Sequence, residues 1–137
     1  VAELSRAPLV VTHADVHAIT PSTRNLTDAQ IDAVAASGGL IGINFEAMST
    51  HPYSDVDRDV PLAQITRHIE YIANRVGVEH VAFGSDFDGA EMPYMLSDVR
   101  GLPDLLGELH AHGFDIPSLE KIAYRNWLRV FQATWAD

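Results

Sequence analysis

Residues 40–45, Leu40-Ile41-Gly42-Ile43-Asn44-Phe45, decide the fold class of this chain. The run is apolar almost throughout, which is typical of a strand that is covered on both faces. Two other runs of strand length flank it, at residues 9–13 and 80–85. Helical periodicities separate the three runs, and parallel strands with right-handed crossovers are the economical solution for such an order. The sequence therefore predicts an α/β protein of three parallel β-loop-α units with one extra helix at the end.

The helices are predicted from capping signals and apolar spacing. Thr27-Asp28-Ala29-Gln30 has the form of a capping box, which favours Thr27 as the residue before a helix. Residues 62–76 repeat apolar side chains at 3-4-3-4 spacing, between Pro61 and Gly77. The remaining predictions are a helix from Pro103 to near Gly113, a final helical region from Pro117 towards Trp135, and a long polar loop over residues 46–60.

Length, charge and composition narrow the function classes. The chain has 137 residues, and a complete (β/α)8 barrel takes about 250, so the chain could hold roughly half of one. Its net charge of -10 makes nucleic acid and anionic membrane surfaces unexpected partners. No apolar stretch reaches the roughly 18 residues of a membrane span, and no signal-peptide layout is present. The sequence has no cysteine, which excludes thiolate chemistry and slightly favours the cytoplasm.

Polar side chains follow directly after each predicted strand. In folds of this kind the loops at the carboxyl ends of the strands carry the chemistry, so these residues form the candidate site. They are His13, Asp15, His17 and Arg24 after the first strand, Glu46 and His51 after the second, and Asp86 and Asp88 after the third.

The first of these loops allows two interpretations for each residue. His13 ends a strand, where a neutral imidazole can ligate a metal or can simply be hydrogen-bonded to the backbone. His13, Asp15 and His17 alternate, and alternate residues of an extended chain project to the same side, although a loop does not guarantee that geometry. Arg24 suits bidentate capture of a carboxylate or a phosphate, or is a surface arginine of an acidic protein.

Gly84-Ser85-Asp86-Phe87-Asp88-Gly89 is the strongest local signal. Two carboxylates two residues apart at a strand end suit acid–base work or the binding of a hard metal ion. The alternative is a turn in which aspartate caps the next element. The string lacks the further acidic positions of an EF-hand loop, so calcium binding by that route is not predicted.

Other conspicuous side chains are predicted to be structural. His110 and His112 are two residues apart at a helix end, where they do not face each other, which indicates a solvated end. His68 lies beside core positions and is predicted to pack or to lie at the surface. Trp127, Phe131 and Trp135 recur at 4-residue spacing, which is typical of a packing stripe.

Several segments, taken together and in order, resemble one known family. They are Ser5-Arg6-Ala7-Pro8 with Thr12-His13, Arg24-Asn25 before the capped helix, residues 38–45, residues 80–89, Pro103-Asp104-Leu105 and residues 126–130. This collinear set is similar to the second half of the renal (membrane) dipeptidase family of zinc metallopeptidases. The resemblance runs over nearly the whole chain, and residues 80–89 look like the most distinctive motif of the family.

The resemblance implies a fold, a cofactor and a mechanism. Residues 1–137 would form the C-terminal half of a (β/α)8 TIM-like barrel, with two zinc ions and a bridging water at its mouth. His13 would ligate zinc, Arg24 would pair with the terminal carboxylate of a dipeptide substrate, and Asp86 would act as the base. Asp15 and His17 differ from the family pattern and are not assigned as ligands.

The resemblance also predicts that this half is incomplete by itself. A His-x-Asp pair, a bridging glutamate and an earlier zinc-binding histidine should lie upstream of Val1, so the isolated chain should hold little zinc and hydrolyse nothing. The expected partners are a dipeptide, the missing N-terminal half of the barrel and, because half a barrel exposes strand edges, a second copy in a homo-oligomer.

Two other functions stay open from the sequence. Asp86 and Asp88 could form a Mg-dependent phosphoryl-transfer pair with Arg24 on the phosphate, although no positioned lysine is evident. The chain could also be a non-catalytic binding module derived from a barrel.

Overall fold

The computed structural model describes residues 4–51 and 57–135. Its order is that of a repeated βα protein, and it confirms the predicted α/β class. The strands are β1 (Val10–Val11), β2 (Leu40–Asn44) and β3 (Val81–Ser85). The helices are α1 (Asp28–Ala36), α2 (Ala47–Thr50), α3 (Leu62–Val76), α4 (Leu102–Ala111), α5 (Ile116–Glu120) and α6 (Asn126–Trp135). A π-helical turn (Lys121–Arg125) joins α5 to α6, and 3-10 turns cover Val78–His80, Tyr94–Leu96 and Val99–Gly101.

The three strands form one parallel sheet in the order β1-β2-β3. Val10 pairs with Leu40, and Ile41 pairs with Val81. Every residue of β2 is buried, as expected for a strand with both faces covered. The carboxyl ends of all three strands therefore meet at one edge of the sheet.

Helices α1 and α3 begin and end where the sequence signals place them. Thr27 precedes α1, and its N–H donates to Oε1 of Gln30 at 2.8 Å, which completes the predicted capping box. The apolar face of α3 is buried in the core through Leu62, Ile65, Ile69 and Ile72, as its spacing predicts. Gly77 ends α3 with a φ of 103°.

Strand β1 is shorter than the predicted run of residues 9–13. The reason is a close crossing of backbones, because the carbonyl oxygen of Thr12 lies where a Cβ of Gly42 or of Gly84 would be, at 2.2 and 2.4 Å. The chain thus bulges out of the ladder after Val11 and returns to β2 at Ala14, whose N–H donates to the Gly42 carbonyl at 2.9 Å. His13 lies in this bulge, at the edge where β3 also ends.

The polar loop predicted over residues 46–60 needs correction, because it contains α2; residues 52–56 of it lie outside the described part. The final helical region is confirmed, since residues 116–135 are helical throughout, with the π-helical turn inside them. The predicted stripe is also present: the ring centroids of Trp127 and Phe131 are 5.8 Å apart, and those of Phe131 and Trp135 are 4.7 Å apart. Only Trp127 packs against the core, whereas Phe131 and Trp135 are exposed, the latter by 72%.

The outer edge of β3 is occupied by side chains rather than by a fourth strand. Nδ2 of Asn126 donates to the Val81 carbonyl at 2.9 Å, and Nε1 of Trp127 donates to the Phe83 carbonyl at 2.9 Å. Residues two apart on a strand present their carbonyls to the same side. The start of α6 therefore takes over backbone groups that a neighbouring strand would otherwise bond.

Arg129 closes the opposite, amino-terminal end of the sheet. Its guanidinium donates to the carbonyls of Gly38, Gly39 and Glu79 at 2.6, 3.2 and 2.8 Å. These carbonyls belong to the turns that enter β2 and β3, so one side chain fixes both.

Among the described helices, none is long and apolar enough to cross a membrane.

Candidate active site

The loops that follow β1 and β3 bring His13 and Asp86 together. Nε2 of His13 lies 4.0 Å from Oδ2 of Asp86, although 73 positions separate the two residues in the sequence. Both side chains are reachable from solvent, with exposed fractions of 40% and 21%. The pair thus lies at the carboxyl edge of the sheet, which is the place that the sequence predicts for the site.

The orientation of His13 is fixed by its neighbour. Oγ1 of Thr12 lies 2.8 Å from Nδ1 of His13. When Nδ1 carries the proton and donates to this hydroxyl, the lone pair of Nε2 is free on the side of Asp86. This is the tautomer that a metal ligand bound through Nε2 requires. Thr12 was not singled out from the sequence beyond its place in the Thr-His motif.

The loop that carries Asp86 adopts an unusual backbone. Ser85, Asp86 and Asp88 have φ values of 40°, 68° and 64°, in the left-handed region that residues other than glycine seldom adopt. The ring of Phe87 packs edge-on against Phe45, with centroids 5.7 Å apart, and anchors the loop. Concentrated backbone strain of this kind is a feature of functional sites.

The two carboxylates of this loop have different surroundings. Asp86 is partly buried and faces His13, whereas Asp88 is exposed. The N–H of Gly89 donates to the Asp86 carbonyl at 3.1 Å and closes the turn. The structure therefore does not present the two aspartates as one paired site.

The structure does not bring Arg24 into contact with His13 or Asp86. Its side chain is exposed on the loop between β1 and α1, and its backbone N–H donates to Oγ of Ser22 at 3.3 Å. The next residue, Asn25, is buried and holds this loop against α2 through its side-chain amide. Asn25 was not predicted as a functional residue, since only its position beside Arg24 in the Arg-Asn motif marks it.

Asp15 and His17 do not join His13 in one cluster. Asp15 is fully buried, and neither carboxylate oxygen has a hydrogen bond of regular geometry, although Ser49 and the Asn44 backbone lie close. Burial raises the pKa of Asp15 to about 8, so this carboxyl is held largely neutral at pH 7. Nδ1 of His17 instead lies 2.9 Å from the Ser22 carbonyl.

Glu46 and His51, which follow β2, lie at the two ends of α2. Glu46 directly precedes α2, and its Oε2 atom is buried without a hydrogen bond. His51 follows α2, where its N–H donates to the Ala47 carbonyl. Among the described residues, no three His, Asp or Glu side chains come together in an arrangement that could hold a metal ion.

Two histidines outside the site have structural partners. His68 is buried, and its Nδ1 accepts the N–H of Val16 at 3.0 Å, which agrees with the predicted packing role. Burial lowers the pKa of His68 to about 4. His112 was predicted to be a solvated helix end, but its ring nitrogens lie 2.9 Å from Glu70 and 3.3 Å from Glu108, and the hydrogen bond to Glu70 raises its pKa.

The parallel sheet carries a histidine and an aspartate from two strand ends at its carboxyl edge, which is where α/β enzymes place their active sites. Comparison with known proteins identifies the family. The family model for membrane dipeptidases (peptidase family M19) matches residues 1–136, and the chain belongs to this family of metallopeptidases.

Individual relatives match the chain over most of its length. The chain is 48% identical over 129 residues to an uncharacterized protein in the pqqA 5' region of Klebsiella pneumoniae, covering 94% of this chain and 48% of that protein. It is 37% identical over 130 residues to the dipeptidase ataJ of Aspergillus terreus, covering 94% of this chain and 31% of that enzyme. The chain thus spans about half or less of the length of these relatives.

A solved structure has the same fold. A metallopeptidase from Rhodobacter sphaeroides, liganded with a phosphinate mimic of the dipeptide L-Ala-D-Ala, superimposes with a TM-score of 0.95 at 42% identity. The match covers 98% of this chain and 38% of that one. The parallel three-stranded sheet therefore matches a segment of the TIM-barrel-like fold of this family.

Proposed function

We propose that this chain is the C-terminal part of a zinc-dependent dipeptidase, with residues 1–137 forming the second half of its (β/α)8 barrel. The observation that carries the proposal is the distance of 4.0 Å between His13 Nε2 and Asp86 Oδ2 at the carboxyl edge of the sheet. Family membership supplies the reaction class, because the relatives that are named enzymes are dipeptidases. The substrate is a dipeptide with a free carboxyl terminus.

The donor set of this chain fits one zinc ligand. Thr12 leaves Nε2 of His13 available, and an imidazole nitrogen is a preferred zinc ligand. A catalytic zinc needs about three protein ligands, and the described residues do not assemble that number. The other ligands would come from the N-terminal half, and the bound metal ions would activate a water and polarise the scissile carbonyl.

Asp86 is proposed to be the general base. Its carboxylate is partly buried at the mouth of the site, where it can take a proton from the attacking water and return it to the departing amine. The turn at residues 85–89 holds the carboxylate towards His13, and Phe87 fixes that turn to the core. Arg24 is proposed to bind the carboxylate of the dipeptide, since a guanidinium makes bidentate pairs with carboxylates.

The N-terminal half is proposed to dock first at the edge of β1; closure of the barrel would then replace the side-chain hydrogen bonds of Asn126 and Trp127 at β3. Val10 of β1 is 39% exposed. The strand borders an open apolar groove of about 400 Å³, lined by Leu9, Val10, Val11, Leu26, Gln30, Ala33 and Val34. An exposed strand edge beside an apolar groove suits the addition of another βα unit. A second copy of the chain is the other partner that this surface would accept.

The test compares the isolated chain with the full-length protein, meaning the product of the reading frame that contains this chain. We expect two zinc ions and hydrolysis of L-Ala-D-Ala or another dipeptide in the full-length protein, and neither in the isolated 137 residues. If the 137 residues alone bind stoichiometric zinc and hydrolyse the dipeptide, the chain holds a complete site and the proposal is wrong. Metal analysis and a ninhydrin assay for released amino acids provide the two measurements.

The assignment of the base has its own variant. Asp86→Asn in the full-length protein should lower kcat by about a hundredfold to ten-thousandfold, the usual worth of a positioned base, with zinc content unchanged. Asp88→Asn is the matched control in the same turn and should retain most of the activity, because Asp88 is exposed. Full activity of Asp86→Asn would exclude Asp86 as the base.

A further inference from the structure

Arg24 is held in place only through its backbone. Within residues 4–51 and 57–135, its guanidinium takes part in no hydrogen bond or ion pair, and the side chain is exposed. Its N–H donates to Oγ of Ser22 at 3.3 Å. The position of the guanidinium therefore depends on how firmly the loop between β1 and α1 is fixed.

Asn25 is the residue that fixes this loop. Its side chain is buried, with 5% exposed, and its amide Nδ2 donates to two carbonyls, those of Thr20 and Ser49, each at 3.0 Å. Its backbone N–H donates to the Ser22 carbonyl at 3.1 Å. One side chain thus links the middle of its own loop, at Thr20, with α2, at Ser49.

The base of the same loop is closed by the backbone. Leu26 donates its N–H to the Asp15 carbonyl at 2.8 Å, and its carbonyl accepts the N–H of His17 at 2.9 Å. These two bonds keep the loop attached to the chain that leaves β1. They do not reach α2. The loop contacts α2 through Oγ1 of Thr20, which donates to the Thr50 carbonyl at 3.3 Å, and through Asn25, which is the contact next to Arg24.

The contact to α2 leads on to the loop of Asp86. Ser49 belongs to α2, and the first residue of that helix, Ala47, donates its N–H to the Glu91 carbonyl at 2.9 Å. Glu91 lies five residues after Asp86 in the same loop. A chain of hydrogen bonds therefore runs from the residue beside Arg24, through α2, to the segment that carries Asp86.

We infer that Asn25 is the positioning residue of Arg24, and that it sets the distance between the carboxylate-binding guanidinium and the reacting groups His13 and Asp86. The inference rests on the proposed function, in which Arg24 binds the terminal carboxylate of the substrate. Two donors on one short side chain are needed to satisfy the two carbonyls. Asparagine alone among the side chains of this size supplies both without a charge.

The experiment measures binding of two compounds to the zinc-loaded full-length protein by calorimetry. One compound is a phosphinate mimic of L-Ala-D-Ala, and the other is the same compound with a carboxamide in place of the carboxylate. Only the first offers a charge to Arg24. The wild-type protein should bind the carboxylate compound at least about tenfold more tightly, which is the worth of a charge-assisted pair.

Asn25→Leu removes both donors at nearly constant volume and adds no charge. It should weaken binding of the carboxylate compound until the preference is mostly lost, and leave the Kd of the carboxamide nearly unchanged. Asn25→Ser, which retains one donor and is the milder change, should give an intermediate preference. Asn74→Leu is the matched control at an exposed position and should leave both Kd values unchanged.

Equal weakening of both compounds by the Asn25 variants would overturn the inference, because a general loss of structure does not discriminate between them. Failure of both variants to fold would overturn it as well, since Asn25 would then be a folding residue. Arg24→Met tests whether Arg24 binds the carboxylate, separately from whether Asn25 positions Arg24. If that variant keeps the preference, the proposed role of Arg24 is wrong, and the inference about Asn25 is refuted with it.

Discussion

Oδ1 of Asp86 lies directly over Gly89, where a Cβ would come within 2.5 Å of it. The backbone of Gly89 donates its N–H to the Asp86 carbonyl, so the two residues contact each other through main chain and side chain. The lack of a side chain at position 89 thus leaves room for the carboxylate in its orientation towards His13.

Gly89→Ala should therefore displace the base without unfolding the protein. The contact atom is the end of a side chain that can rotate away, so we expect normal stability and a fall in kcat of about tenfold or more. Steady-state kinetics of the full-length protein and a thermal melt provide the measurement. Gly107→Ala is the control, because a Cβ there meets nothing within 4 Å; equal kcat for the two variants would contradict the prediction.

Arg129 should contribute strongly to stability. It donates to three backbone carbonyls at the amino-terminal end of the sheet, and Arg129→Met leaves all three without their charged donor. We expect a loss of about 2 kcal/mol in the free energy of unfolding, measured by urea denaturation. Arg125→Met in the preceding π-helical turn removes an exposed ion pair with Glu120 and should change stability by less than about 0.5 kcal/mol. Similar losses in both variants would refute the role of the carbonyl contacts.

His68 should make the fold sensitive to acid. Burial lowers its pKa to about 4 from an ordinary value of 6.5, so the unfolded chain binds a proton in this range and the folded protein does not. Stability is then fully present above pH 6.5 and is lost as the pH falls towards 4. His68→Asn keeps an acceptor for the Val16 N–H but cannot bind a proton in this range. The free energy of unfolding of the wild type, relative to that of this variant, should therefore fall by up to about 3 kcal/mol between pH 6.5 and pH 4. A constant difference between pH 7 and pH 4 would contradict this account.

His112 should act in the opposite direction. Its hydrogen bond to Glu70, helped by Glu108, raises its pKa above 6.5, so the stabilisation is fully present below pH 6.5 and is lost as the pH rises through the raised pKa. His112→Gln should lower the melting temperature at pH 5.5 more than at pH 8.5. An equal fall in the melting temperature at the two pH values would contradict the prediction.

The sequence allowed the strands, α3 and the cap of α1 to be predicted, because these depend on local signals. Apolar spacing marks the buried face of α3, and Thr27 with Gln30 satisfies a helix end within one turn. The end of β1 depends instead on how closely Thr12 approaches β2 and β3. Helix α2 is short, and its first N–H is bonded 44 residues away at Glu91. No local pattern encodes such contacts.

The candidate site likewise has a part that the sequence predicts and a part that it does not. That His13 and Asp86 would lie at one edge was predictable, because parallel strands end together. The supporting residues were not predictable, since Asn25 is defined by the carbonyl of Ser49 and Gly89 by the orientation of the Asp86 side chain. The burial of Asp15 was also not predictable, because alternation along a loop does not determine which side chains face the protein interior.

The side chains that bond the outer edge of β3 leave β1 as the more accessible edge of the sheet. A strand that approached β3 would have to displace the hydrogen bonds of Asn126 and Trp127, whereas β1 offers its backbone beside an apolar groove. Intermolecular strand pairing and domain exchange are templated by open edges. Any self-association of this chain should therefore begin at β1, and charges introduced next to Val10 would suppress it more effectively than charges next to Phe83.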